Sequence, residues 1–152
     1  MRTSLPETGR GGAAIGLAIL SMRSADDALA SAALAVRENA HAPFSGFRVG
    51  AALEDSGGRI HTGCNVENST FGLTICAERA AVFKAISDGA RDFRRMVIAA
   101  DSATLTPPCG ACRQILWEFC RDIEIILINP RGGRESLRLK DLFPRPFDAS
   151  FL

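Results

Sequence analysis

No tyrosine, no internal repeat, no low-complexity linker and no long run of one charge sign occur in this sequence. Without a repeat, stacked solenoids and propellers drop out. At 152 residues without linkers, one domain is favoured. The 18 Lys+Arg are nearly matched by 17 Asp+Glu. That balance counts against a nucleic-acid groove or a membrane-surface helix and favours a neutral small-molecule partner. The apolar run Gly11 to Leu20 is too short to cross a bilayer. An even cysteine count is missing too: Cys64, Cys76, Cys109, Cys112 and Cys120 make five. An odd set fits a disulfide framework poorly. A chain that is 47% apolar builds a core without staples. The thiols point instead to a reducing compartment and to metal.

Residues 1–23 are expected to be a loosely docked extension, followed by a single domain over 24–152. Arg2 and Arg10 precede the apolar run, which has the character of a weak signal segment without a small-residue cleavage site. Met22 offers a second translation start; the intact mass of natively expressed protein decides between the two. Ser24, with Asp27 three residues on, caps a helix whose stripe is Leu29, Ala32, Ala33, Val36 and Ala40. Pro43 is expected to stop it. Phe47 to Leu53 and Arg59 to Cys64 predict a hairpin about Asp55-Ser56-Gly57-Gly58. A polar loop, Asn65 to Thr74, leads to a helix from Cys76 to Asp88 that is apolar almost all round and therefore buried on several sides. Met96 to Ala100 predicts a strand. After Thr106-Pro107-Pro108, a second helix runs to about Cys120 with Ile115, Leu116 and Phe119 inward. Ile123 to Ile128 predicts a strand buried on both faces, and Ser136 to Leu139 a last strand or turn. Strand–helix–strand order implies a parallel crossover. The class is α/β, a mixed sheet with helices on its faces.

The chemistry concentrates in Cys76-Ala77-Glu78-Arg79 and Pro108-Cys109-Gly110-Ala111-Cys112. Pro108 suits a first helical turn, so Cys109 and Cys112 share a face at one helix start. Cys76 opens the other helix. Free N–H groups and the positive dipole end at both starts favour thiolate, the metal-binding form. Three thiolates hold a tetrahedral zinc and leave its fourth position open to water. Their net charge with zinc is −1, which Arg79 is placed to temper. Glu78 is then the candidate acid/base beside the water. A lone Cys-x-x-Cys also fits a redox pair or plain core. Cys64, at the end of a strand feeding the same loop, would close the site as a fourth structural ligand. Cys120 lies two helical turns from Cys112, too far to serve. His41 and His61 are expected on the surface or in loops.

These residues resemble the signature of zinc deaminases, a ligand-x-Glu followed by Pro-Cys-x-x-Cys. The segments Ala42 to Leu53, Gly63 to Asn68, Cys76 to Ala80 and Pro108 to Gln114 are similar, in the same order, to the small cytidine deaminases. The resemblance runs from about Ser24 to Phe147. It implies a three-layer α/β/α fold with a mixed sheet of about five strands and helices on both faces. It implies hydrolytic deamination of cytidine and 2′-deoxycytidine in cytoplasmic pyrimidine salvage. It also implies a homotetramer with active sites at subunit contacts. By position, Cys76, Cys109 and Cys112 become the ligands of one zinc ion per subunit and Glu78 the proton shuttle. Asn65 and Glu67 hold the ribose 3′-hydroxyl, and Phe47 is a pocket aromatic. The Ala77 carbonyl takes the leaving amine, and Phe147 reaches the base bound by a neighbouring subunit. In the implied reaction, zinc-activated water adds to C4 and ammonia leaves. From the residues alone, Asn65 and Glu67 read as loop caps and Phe47 as core. An extended segment puts Asn65 and Glu67 on one face, which suits a clamp on a neutral sugar. The family often carries tyrosine at Phe44 and Phe71, so hydroxyl bonds there are lost.

Overall fold

The computed structural model describes residues 25–152. The expected extension, the Met22 start and the Ser24 cap lie outside the described residues. The elements are α1 (25–37), β1 (Val49–Asp55), β2 (Ile60–Cys64), α2 (Ala77–Ser87), β3 (Phe93–Ala100), α3 (Gly110–Cys120), β4 (Glu124–Ile128), β5 (Arg134–Arg138) and the single turn α4 (Leu139–Leu142). They form one five-stranded sheet in the order β2-β1-β3-β4-β5. β3 and β4 are parallel, joined through α3, and the other pairs are antiparallel. No described helix is long and apolar enough to cross a membrane.

The period-2 alternation of the strands divides the core into two layers. Ala52, Val97, Ala99, Ile126 and Ile128 face α1, meeting Leu29 and Ala33. Ala51, Leu53, Met96, Ile98, Ile125 and Leu127 face α2 and α3, meeting Ala81, Val82, Ala85 and Leu116. The sheet therefore carries helices on both faces, as expected. The charged, exposed β5 covers one edge, a pattern that discourages further strand pairing.

Four expectations are corrected. α1 ends at 37, short of Ala40 and Pro43. Its last residues close 3₁₀-like bonds, and His41 then pairs with the 65–67 segment: its N–H donates to the Asn65 carbonyl at 3.0 Å and its carbonyl accepts from Glu67 N–H at 2.8 Å. That pairing competes with further helix. Phe119 is 41% exposed, and Cys120 takes the inward place. His61 is buried, not a surface residue, at 2% exposure. Its two ring nitrogens lie 3.0 Å from Asp55 Oδ2 and 3.4 Å from Asp88 Oδ2, so it links the hairpin to the end of α2. Pro108 precedes the N-cap, Cys109, rather than occupying the first helical turn.

Candidate active site

Cys76 is the N-cap of α2 and Cys109 the N-cap of α3; both have extended backbone there. Cys112 stands three residues past Cys109, in the first turn of α3. The two helix starts converge, as their spacing predicted. The three Sγ atoms lie within 4.8 Å of one another, with Cys76 and Cys109 at 4.0 Å. A tetrahedral zinc with Zn–S of about 2.3 Å spaces its sulfurs about 3.8 Å apart, so this donor set fits zinc closely. Cys64 is not part of the cluster, which leaves the fourth position to water or substrate. All five cysteines are free thiols.

The charge within the cluster is unevenly placed. The Cys76 thiol is pulled down to about 5 by a hydrogen bond from Cys112 and by Arg79. Cys112 is pushed up, by that same bond and by burial. Negative charge thus settles on Cys76, the sulfur beside the guanidinium. Arg79 Nη2 donates to the Thr74 carbonyl at 2.9 Å and lies 3.6 Å from Cys76 Sγ. The first bond holds the guanidinium where the second can form. Cys120 is remote, and burial raises its thiol to about 12, in keeping with a core role.

Glu78 sits in the first turn of α2 and is only 6% exposed. Burial pushes its carboxyl up to about 7, and the Cys76 charge adds to this. A carboxyl near neutral can both accept and return a proton at working pH. It lines a cavity of about 240 Å³ together with Phe47, Asn65, Glu67, Cys76, Ala77 and Cys109. Phe47 is therefore a pocket wall, half-exposed, and not core. Ala77 is the first residue of α2. Its N–H has no partner within the helix, while its carbonyl points along the axis.

Asn65 and Glu67 line the same cavity, on one side of an extended segment held by bridges from Val66 to His41 and Ile75. Asn65 is buried and spans the entrance of β1. Its Nδ2 donates to the Phe47 carbonyl at 2.8 Å, and its Oδ1 accepts from Val49 N–H at 2.8 Å. One amide hydrogen remains for a ligand. Glu67 Oε2 accepts from the N–H groups of Phe44 and Ser45 at 2.9 and 3.2 Å, and Oε1 accepts from the Ser45 hydroxyl. The Ser45 hydroxyl and these N–H groups hold its carboxyl below the usual range. Glu67 is thus ionised and aimed. Ser45 carried no expected role; the signal was its place beside Gly46 in a turn, since that turn wraps the carboxylate. Phe147 is not among the residues lining this cavity; it is 58% exposed, with its carbonyl accepting from Gln114 of α3.

Comparison with known proteins agrees with this geometry. The model of the "Cytidine and deoxycytidylate deaminase zinc-binding region" matches residues 23–128. A cytidine deaminase of Sporosarcina psychrophila is 46% identical over 112 residues, 73% of this chain and 82% of the relative. One from Halalkalibacterium halodurans is 44% identical over 118 residues, covering 77% and 89%. The crystal structure of cytidine deaminase from Burkholderia pseudomallei superposes with a TM-score of 0.77 at 42% identity, covering 80% of this chain and 98% of that one. With three thiols and a buried glutamate converging at two helix starts, this chain belongs to the cytidine and deoxycytidylate deaminase zinc-binding family.

Proposed function

We propose that this chain hydrolyses cytidine and 2′-deoxycytidine to uridine and 2′-deoxyuridine with release of ammonia. The observation that carries the reading is the burial of Glu78 beside three converging thiols, in a cavity that Asn65 and Glu67 also line. A zinc ion on Cys76, Cys109 and Cys112 would acidify the water at its open position. Glu78 takes a proton from that water. That proton goes to N3 of the cytosine ring as the water oxygen bonds to C4; Glu78 then moves the proton of the resulting C4 hydroxyl to the amino group, so that C4=O forms, the C4–N bond breaks and ammonia leaves. Ala77 bears on the base through its free N–H. The Ala77 carbonyl, expected to take the leaving amine, belongs to the same residue at the pocket wall. Phe47 packs against the nucleoside. Asn65 contributes its remaining amide hydrogen and Glu67 its carboxylate to the ribose hydroxyls. A neutral sugar is recognised by paired hydrogen bonds rather than by bulk charge, which agrees with the balanced composition. The guanidinium of Arg79 offsets the excess thiolate charge.

The reading includes a cytoplasmic role in pyrimidine salvage and a homotetramer. Five free thiols favour a reducing compartment. Exposed Phe44, Phe71 and Leu73 gather beside the pocket, and Phe83 and Phe119 stand out from α2 and α3. Apolar exposure of this kind is usually covered by another subunit. The deciding experiment follows the absorbance of cytidine and deoxycytidine with zinc-loaded protein. Turnover that is abolished by chelation and restored by zinc is expected; no turnover of either nucleoside removes the proposal. Sedimentation of the same sample reports the assembly.

A further inference from the structure

The turn that follows Pro43 is built around a carboxylate supplied by a distant part of the chain. Its closing bond runs from the Gly46 N–H to the Ala42 carbonyl at 3.0 Å, with Gly46 at a φ of 67°. The N–H groups of Phe44 and Ser45 are left over, and both donate to Oε2 of Glu67, at 2.9 and 3.2 Å. Two successive N–H groups on one oxygen make a small anion nest. The other oxygen, Oε1, accepts from the Ser45 hydroxyl. Ser45 Oγ in turn accepts from the Phe47 N–H at 3.0 Å. A hydroxyl has one hydrogen to give. With its oxygen turned to the Phe47 N–H, that hydrogen goes to Glu67, and the two bonds together fix the hydroxyl rotor.

A carboxylate offers about four acceptor directions, two on each oxygen. On Glu67 three are taken: both on Oε2 and one on Oε1. The one left open lies on Oε1, the oxygen that Ser45 holds. Ser45 also lines the cavity, beside Phe47, Asn65 and Glu67. Asn65 grips the other side of Phe47, donating to its carbonyl at 2.8 Å. A serine that only caps its own turn accepts from the N–H two residues on and leaves its hydrogen to water. This one gives its hydrogen to a carboxylate at the cavity wall. We propose that Ser45 positions the substrate's sugar: its hydroxyl, strung between the Phe47 N–H and Glu67, fixes the direction of the one acceptor site that Glu67 keeps for a sugar hydroxyl. The inference rests on the proposed nucleoside activity and deepens it. Ser45 is a positioning residue, acting through Glu67. Without its hydroxyl, both acceptor directions on Oε1 stand open and the carboxylate is held through Oε2 alone. A sugar hydroxyl then meets a partner that is no longer aimed. The sugar takes no part in bond making at C4, so this contact serves ground state and transition state alike. Its loss acts on KM rather than on kcat.

The test compares zinc-loaded Ser45→Ala with wild type on cytidine as substrate. Uridine and 2′,3′-dideoxyuridine serve as ligands whose binding needs no turnover, followed by nuclear magnetic resonance titration. KM for cytidine and the dissociation constant for uridine should both rise about tenfold, the scale of one charge-assisted bond, with kcat within about twofold and zinc retained. 2′,3′-Dideoxyuridine lacks the hydroxyls that Glu67 would hold, so it should bind the two proteins within about twofold of each other. Ser45→Thr keeps the hydroxyl and should recover most of the affinity for uridine. Equal weakening of uridine and dideoxyuridine would overturn the proposal, because it marks general damage to the turn. So would unchanged binding of both. A wild type that binds uridine in this hydroxyl-dependent way but does not turn over cytidine removes the deaminase reading and leaves the role of Ser45 standing.

Discussion

Gly50 on β1 and Gly63 on β2 lie one register step apart and face opposite sides of the sheet. A Cβ on Gly50 would stand 2.1 Å from the Ala33 carbonyl of α1; one on Gly63 would stand 2.4 Å from the Ala81 nitrogen of α2. Both helices thus ride directly on strand backbone, an approach only glycine allows. What they carry differs. α1 brings aliphatic side chains to its face, with Asp26 pairing to Arg95 and Arg134 at its start, and no residue of the cavity. α2 carries Cys76, Glu78 and Arg79 less than two turns from its contact with Gly63, and its far end is tied to β2 through His61 and Asp88. The same packing device supports stability on one face and positions Cys76 and Glu78 on the other. A displacement of α1 costs folding free energy. A displacement of α2 also moves a thiol and a carboxyl that must meet α3 across the site.

Glu78→Gln is expected to have the largest effect. Catalytic rate should fall by at least about 10²-fold, with zinc content kept and thermal stability equal or higher, since a buried carboxyl is removed. Loss of zinc in step with rate would instead give Glu78 a structural task. The two glycines come next and test the comparison directly. Gly50→Ala and Gly63→Ala should each destabilise by about 1–3 kcal/mol or more through backbone overlap. Only Gly63→Ala should also lower zinc occupancy and kcat of the folded fraction. Equal damage to kcat from both would break the division between the faces. His61→Asn should lower the melting midpoint by on the order of 5 °C. It should also soften the acid limb of stability. His61 holds Asp55 below its ordinary range through a hydrogen bond; Lys84, and then His61, does the same for Asp88. A depressed carboxylate contributes stability above its unfolded pKa and loses that contribution as pH falls through the folded one. Wild-type stability should therefore drop below about pH 4, and more steeply than in the variant. An equally steep limb in His61→Asn would place the acid sensitivity elsewhere. The smallest effect is expected at Arg121, which turns the chain out of α3 with φ of 58°. Arg121→Gly should stabilise by about 1 kcal/mol or less, measured by denaturant midpoint, because glycine relieves that conformation.

Much of the site was legible because its parts are short-range. Cys-x-Glu and Pro-Cys-x-x-Cys are helix starts, and a helix start fixes where a side chain points within one turn. The hairpin about Asp55 to Gly58 was legible for the same reason. Misreadings fell where the partner is distant. Glu67 meets Ser45 across 22 residues and Asn65 meets Phe47 across 18, so the side chains that cap these loops are also the ones that line the cavity. His61 looked like a surface residue because nothing nearby in sequence forecasts that Asp88 will close over it. Phe119 sat on a hydrophobic stripe, but α3 is amphipathic about a slightly different axis, which turns Cys120 inward instead.

The sequence by itself determined the chemistry: three thiols able to ionise, one glutamate beside them, a balanced charge that suits a neutral substrate, and the order of strands and helices. Periodicity, caps and turns are local, so they survive without knowledge of the fold. The tertiary structure decided which thiols meet and which stay apart. Cys76 and Cys109 are 33 residues apart and lie 4.0 Å from each other, while Cys64, closer in sequence to Cys76, is left outside. It also decided that Glu78 is buried enough to hold a proton near neutrality, and that Phe147 is displayed rather than folded in. These outcomes depend on how two helices pack on one face of a sheet, and packing is a property of residues brought together from the whole chain.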